Sequence, residues 1–164
     1  MEFYRESDLG KLRELLSKLL VGMTPYTFNV SYQFIDVELT CFGVKCYFRD
    51  ILNLNLSSDA YLMFQGNRTI PENSEIPEQR ADLVKRLMTC EEIISVQMAD
   101  KGELTLKFKS ELELVVPIDF SFGACEPSWV LLEEGHYRSD FGTFTDWYIG
   151  CDLDGPFGNL EKIG

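Results

Sequence analysis

Histidine is almost missing from this chain: His136 is the only one in 164 residues. A metal centre built on several imidazoles is thereby excluded. A Ser-His-Asp or Cys-His nucleophile would have to use that single residue. His136 sits in Glu133-Glu134-Gly135-His136-Tyr137, a polar stretch that reads as a loop, where a solvated histidine is the default. No Cys-x-x-Cys pair occurs, so zinc ribbons and thioredoxin-like redox motifs have no support. A nucleophile elbow, a phosphate-binding P-loop and a dinucleotide-binding glycine pattern are also lacking. No apolar run reaches the ~18–20 residues that span a bilayer. The opening residues, Met1-Glu2-Phe3-Tyr4-Arg5-Glu6, lack the basic region and apolar run of a secretory leader.

Positive charge is scarce. Fifteen basic side chains face 27 acidic ones, for a net charge of −12. The split is uneven: residues 1–110 carry net −3 and residues 111–164 carry net −9, with only Arg138 and Lys162 basic. Such a field repels phosphates and argues against nucleic acid as a ligand. It favours encounter with a basic protein, although solubility alone also accounts for an acidic surface.

The five cysteines are Cys41, Cys46, Cys90, Cys125 and Cys151. An odd count without an export signal predicts reduced thiols and a cytoplasmic protein, with the cysteines buried as small apolar groups.

The length suits one domain with its own core. Ser7 to Leu20 predicts a helix with Ser7 as N-cap, and Leu9, Leu12, Leu15, Leu16, Leu19 and Leu20 form its apolar stripe. Gly22 and Pro25 end it. Residues 27–65 read as a β-meander. Phe28 to Phe34 alternates, Val37 to Cys41 continues, and Val44 to Phe48, Leu52 to Leu56 and Ala60 to Phe64 follow. After a polar loop, residues 78–88 predict a second helix. Strands are expected at Ile93 to Met98, Glu103 to Phe108 and Leu112 to Val116, with a short one from Trp129 to Leu132. Residues 135–164 read as an irregular acidic and aromatic segment. The expectation is one α+β domain: a largely antiparallel twisted sheet with two helices on one face.

Two features near the end invite a chemical reading. Gly150 to Glu161 can be laid on a twelve-residue calcium loop, with Asp152, Asp154, Gly155 and Glu161 at its third, fifth, sixth and twelfth positions. Its first position is Gly150 rather than a carboxylate, and no flanking helices are evident, so a polar turn is expected and no metal or other cofactor. The second feature is aromatic. Tyr137, Phe141, Phe144, Trp147, Tyr148 and Phe157 are interleaved with acids, as anchors in a protein-binding surface tend to be. Trp147 and Tyr148 are expected in the core. The candidate partner-binding set is Glu133, Glu134, Asp140, Phe141, Phe144, Asp146, Asp152 and Asp154.

A resemblance bears on function. It runs through Leu83 and Leu87, Ile93-Ile94-Ser95-Val96, Gly102-Glu103-Leu104-Thr105-Leu106-Lys107-Phe108, Leu112 to Asp119 and Ser128-Trp129-Val130-Leu131. This third of the chain resembles small bacterial proteins of uncharacterised activity, some of them like the immunity proteins of contact-dependent or polymorphic toxin systems. The resemblance implies the fold and a non-enzymatic role, and it lends no residue a chemical role; taken with the acidic charge, the leading expectation is a cytoplasmic binding protein that neutralises a basic toxin or effector by occlusion. Alternatives are a hydrolase-like enzyme with a carboxylate site, or a structural, oligomeric protein. The sequence leaves the oligomeric state open.

Overall fold

The computed structural model describes residues 9–30, 34–43, 46, 51–57, 59–118, 128–133, 148–152 and 154–158. Among these are two helices and eleven strands in two antiparallel sheets, an α+β architecture. The first helix, α1, spans Leu9–Leu20, with Leu12, Leu16, Leu19 and Leu20 buried. That is the leucine stripe, whose three- and four-residue spacing keeps it on one side of the helix.

The six-stranded sheet runs in the order β1 (Thr24–Val30), β2 (Phe34–Thr40), β3 (Leu52–Ser57), β9 (Trp129–Glu133), β10 (Tyr148–Asp152) and β11 (Gly155–Gly158). The five-stranded sheet runs β5 (Asn67–Arg68), β4 (Tyr61–Phe64), β8 (Leu112–Val116), β7 (Leu104–Phe108) and β6 (Ile93–Met98). The second helix, α2, spans Ile76–Leu87 and carries Pro77 in its first turn, where a missing N–H costs nothing.

The α+β, largely antiparallel architecture is as expected, with its strands divided between two sheets: the chain leaves the first after Ser57 and enters the second at Tyr61, with Ala60 buried at the crossing. Two expectations of detail need correction. The run Phe28 to Phe34, read as one strand, spans the end of β1 at Val30 and the start of β2 at Phe34, because alternation of apolar residues does not by itself mark where a strand stops. The irregular reading of residues 135–164 fails at 148–152 and 155–158, which form β10 and β11. Tyr148, Ile149, Gly150 and Cys151 are all buried, so β10 shows none of the alternation of a one-faced strand. Of the predicted strand at Val44 to Phe48, only Cys46 lies within the described residues.

The turns explain the register. Phe108 to Glu111 closes with the Glu111 N–H on the Phe108 carbonyl, and Glu111 sits at φ 75°. The hairpin joining β6 and β7 repeats this plan: Gly102 N–H donates to Ala99, and Gly102 sits at φ 108°. A three-residue loop ending in a left-handed residue is a favoured hairpin connection.

One apolar cluster joins both sheets and both helices. Cross-strand pairing puts Leu104, Leu106, Leu114 and Val116 on one face of the second sheet. Ile35, Val37, Leu54, Leu56, Trp129 and Leu131 share one face of the first. Helix α1 lies against β6, and α2 against β4. The sheets are also bolted by polar contacts. The Trp129 indole N–H donates to the Gly102 carbonyl at 2.8 Å, and the Cys151 thiol lies 3.3 Å from the Lys101 carbonyl. A Cβ at position 102 would stand 2.1 Å from the Cys151 sulfur, so only glycine fits that turn.

Cys41 and Cys46 form a disulfide, against the expectation of five reduced thiols. An odd count leaves a thiol over but does not forbid a pair, and two cysteines five apart at the end of a strand are within bridging reach. The bonded Cys46 is buried, its sulfur 3.3 Å from the Gly22 carbonyl; without a hydrogen on sulfur this is a packing contact.

Candidate protein-binding surface

Of the eight residues proposed from sequence, Glu133, Asp152 and Asp154 are described; Glu134, Asp140, Phe141, Phe144 and Asp146 lie outside the described residues, as does His136. Glu133 ends β9, paired with Leu52 of β3. Asp152 ends β10, paired with Gly155. Because Trp129 pairs with Cys151 and Leu132 with Tyr148, Glu133 and Asp152 stand at opposite ends of the ladder between β9 and β10. Alternation also separates their faces. Glu133 shares the side of Trp129 and Leu131, and Asp152 the side of Tyr148. The structure does not bring these two acids together.

Asp152 and Asp154 belong to the hairpin between β10 and β11. The Asp154 backbone N–H donates to the Asp152 carboxylate at 2.9 Å, a turn closed by its own side chain. The segment is thus strand, turn and strand, whereas a calcium loop of the type considered is flanked by helices. Among the described residues, no three His, Cys, Asp or Glu side chains converge as metal ligands. Tyr148 and Phe157 are buried, with ring centroids 5.9 Å apart, so they act as core in place of surface anchors.

What the fold does assemble is a polar row that the sequence reading overlooked. Asp36 and Glu38 alternate with Ile35, Val37 and Leu39 along β2, so both carboxylates leave the core side together. Asp36 pairs with Asn55 and Glu38 with Asn53 on β3. On the outer flank, Asn29 pairs with Asp36 and Thr27 with Glu38. The Asn55 amide donates to the Asp36 carboxylate at 2.5 Å. Asp36, Glu38, Asn53 and Asn55 are half-buried on their strands, and Thr27 and Asn29 are exposed. Asp152 lies on the same side of the sheet, because the register carries Asn55 across to Val130 and Gly150. Three strand spacings, about 14 Å, separate β2 from β10. The signal was available in Phe34 to Thr40: an acid at every second position of an alternating strand marks the face away from the core.

Two other features bear on chemistry. A groove of about 230 Å³ opens between α1 and β6, lined by Arg13, Leu16, Val96, Gln97 and Met98. Its one charged group, Arg13, donates to the Met98 carbonyl at 2.8 Å and pairs with Asp100 at 2.5 Å. Cys90 is fully buried, and burial pushes its thiol up to about 12; its own backbone hydrogen bond partly offsets this, and the Glu91 charge adds to it. A thiol so held is no nucleophile at neutral pH. No helix among the described residues is long and apolar enough to cross a membrane. Comparison with family models, with curated proteins and with solved structures gave no match.

Proposed function

We propose that this chain is a non-enzymatic protein-binding module that engages a basic protein and blocks it by occlusion, in the manner of an immunity protein neutralising a toxin or effector. The observation that supports this reading is the polar row of Asp36, Glu38, Asn53 and Asn55 on the first sheet, with Asp152 on the same side beyond the buried Leu132, Gly150 and Tyr148. Acceptors mounted on paired strands are held in place before a partner arrives, which lowers the ordering cost of binding. Glu134, Asp140, Phe141, Phe144 and Asp146, outside the described residues, stay in the proposed partner-binding set on the strength of their acidic and aromatic character. Nucleic acid and membrane do not suit a chain of net charge −12 as partners.

The compartment bears on the reading. Disulfides persist in oxidising surroundings and are rare or regulatory in a reducing cytosol. The bond between Cys41 and Cys46 therefore opposes a simple cytoplasmic placement. In a cytosol the pair would act as a reversible link.

The test is co-purification with the full chain from its source cell, identification of the bound protein, and association kinetics with the isolated pair. The expected partner is basic, and its on-rate falls steeply with salt because exposed charges are screened beyond ~8 Å at physiological ionic strength. A Glu38→Lys, Asp152→Lys variant should slow association and leave the melting temperature within a few degrees. Association that ignores both salt and charge reversal would remove the support for this function.

A further inference from the structure

A sheet edge is a row of unpaired backbone groups, and folded chains usually blunt it. Among the described residues the two sheets have four edges, and three of them are blunted. Along β6, Gly22 N–H donates to the Ile93 carbonyl, Ile93 N–H donates to Met23, and Arg13 reaches the Met98 carbonyl, so α1 and its C-terminal end cover that edge. The edge strand β5 is two residues long. The edge strand β11 has four residues, including Pro156, which has no N–H to offer.

The fourth edge, β1, is different. It is seven residues long, and Tyr26, Thr27, Asn29 and Val30 are exposed. Tyr26 is 63% exposed, Val30 47% and Phe42 68%, and the Tyr26 and Phe42 rings meet edge to face at 5.8 Å. The strand carries no charge. It lies within an uncharged run from Leu19 to Ile35, in a chain whose charged fraction is 26%. The usual guards, a lysine or an inward-pointing acid, are missing. Pro25 guards only the start, beside a bulge between Pro25 and Thr27.

We propose that β1 is a self-association edge, where a second copy of this chain adds its own β1 antiparallel and extends the sheet across a two-fold axis. Self-pairing demands a self-complementary strand. A two-fold centred on Phe28 sets Tyr26 opposite Val30 of the second copy, an aromatic against a β-branched side chain. It sets Thr27 opposite Asn29, a hydroxyl against a carboxamide. No like charges meet across the ladder. In a chain of net charge −12, a strand without ionised groups is the edge where a second copy meets least repulsion. The exposed Tyr26, Val30 and Phe42 then become the apolar part of the interface. This association is distinct from the acidic face that would engage a basic partner, and salt acts on the two in opposite senses. Screening strengthens contact between two acidic copies and weakens contact with a basic protein.

The experiment is sedimentation of the full chain over a wide concentration range at low and high salt, with hydrogen exchange of the β1 amides under the same conditions. The expected result is a concentration-dependent shift from 18.9 kDa to about twice that mass. The shift should be favoured by salt and accompanied by slowed exchange at Tyr26 to Val30. Val30→Lys, at an exposed position, should return the chain to monomer with its melt at low concentration unchanged. A wild-type chain that stays monomeric throughout overturns the proposal, and leaves β1 to a strand of some other protein. A dimer that persists in Val30→Lys, or that forms with no slowing of exchange in β1, places the interface elsewhere and overturns it too. If Val30→Lys fails to fold, the exchange measurement on the wild-type chain decides alone.

Discussion

Cys90 shows what burial does to a single titratable group. Its thiol is fully buried and lies 3.1 Å from the Leu87 carbonyl. Burial raises its pKa from 9.0 to about 12. In the native chain Cys90 should resist alkylation at pH 8, and it should label only when denaturant opens the chain. The sign of the pH effect follows. The unfolded thiol ionises near pH 9 while the folded one keeps its proton, so this group's contribution is present below pH 9 and is lost as pH rises from 9 towards 12. Rapid native labelling of Cys90 at pH 8, read by mass spectrometry, would contradict the burial described. None of this was legible in the sequence beyond a general tendency of cysteine to be inside. The thiol's environment comes from the end of α2 meeting the start of β6, a tertiary junction.

At the scale of elements, the short loop closed by Cys41 and Cys46 carries its own expectation. Thiol titration under denaturing, non-reducing conditions should find three thiols, and five after reduction, since one bond takes two of the five cysteines. A bridge between residues five apart restrains the unfolded chain only modestly, and the chain-entropy model gives about 2 kcal/mol for so short a loop. A Cys41→Ser, Cys46→Ser variant should therefore fold and melt several degrees lower. Five thiols without reductant would remove the bond. The elements themselves were unequally legible. Strands β6, β7 and β8 stand close to Ile93 to Met98, Glu103 to Phe108 and Leu112 to Val116, although only β7 buries one face cleanly: β6 is bulged between Ile93 and Ser95, and β8 buries Leu114, Val115 and Val116 in succession. The first helix was found from its leucine stripe; the second was found over 78–88, but Ala81 and Met88, which its spacing put inside with Val84 and Leu87, are exposed, and Leu83 is buried. Strand β10 was missed because both its faces are buried, and β11 because Gly155-Pro156-Phe157-Gly158 looks like a turn. The candidate site suffered likewise. Counting acids near the C-terminus grouped Glu133 with Asp152, although strand parity sends them to opposite faces. The same parity, applied to Phe34 to Thr40, would have marked Asp36 and Glu38.

The whole molecule is held as one unit by contacts that cross between sheets. The turn at Asp100 to Gly102 is seated on Trp129 and Cys151, and one apolar cluster runs through both sheets. Unfolding should be a single cooperative transition. Cys90 lies beside the second sheet and Cys151 in the first, so their alkylation against denaturant should give coincident midpoints. Gly102→Ala would press a methyl group into the Cys151 sulfur at a backbone angle that disfavours side chains. It should lower stability by more than about 2 kcal/mol while keeping the midpoints together. Two separated midpoints would mean that the sheets unfold independently.

The strand order has a consequence in time. Ser57 at the end of β3 donates its N–H to the carbonyl of Ser128, 71 residues later, and the whole second sheet is made between them. On a ribosome adding about 5–20 residues per second, roughly 4–14 s pass before β9 emerges to pair with β3. Through that interval the nascent chain presents Leu52, Leu54 and Leu56 on a strand with one side unpaired. The second sheet, contiguous from Tyr61 to Val116, can close meanwhile within its own segment, by short hairpins and by the longer pairing of β4 with β8. Synthesis thus sets the order in which the halves form, and the chain is most open to aggregation and to chaperones while β3 waits.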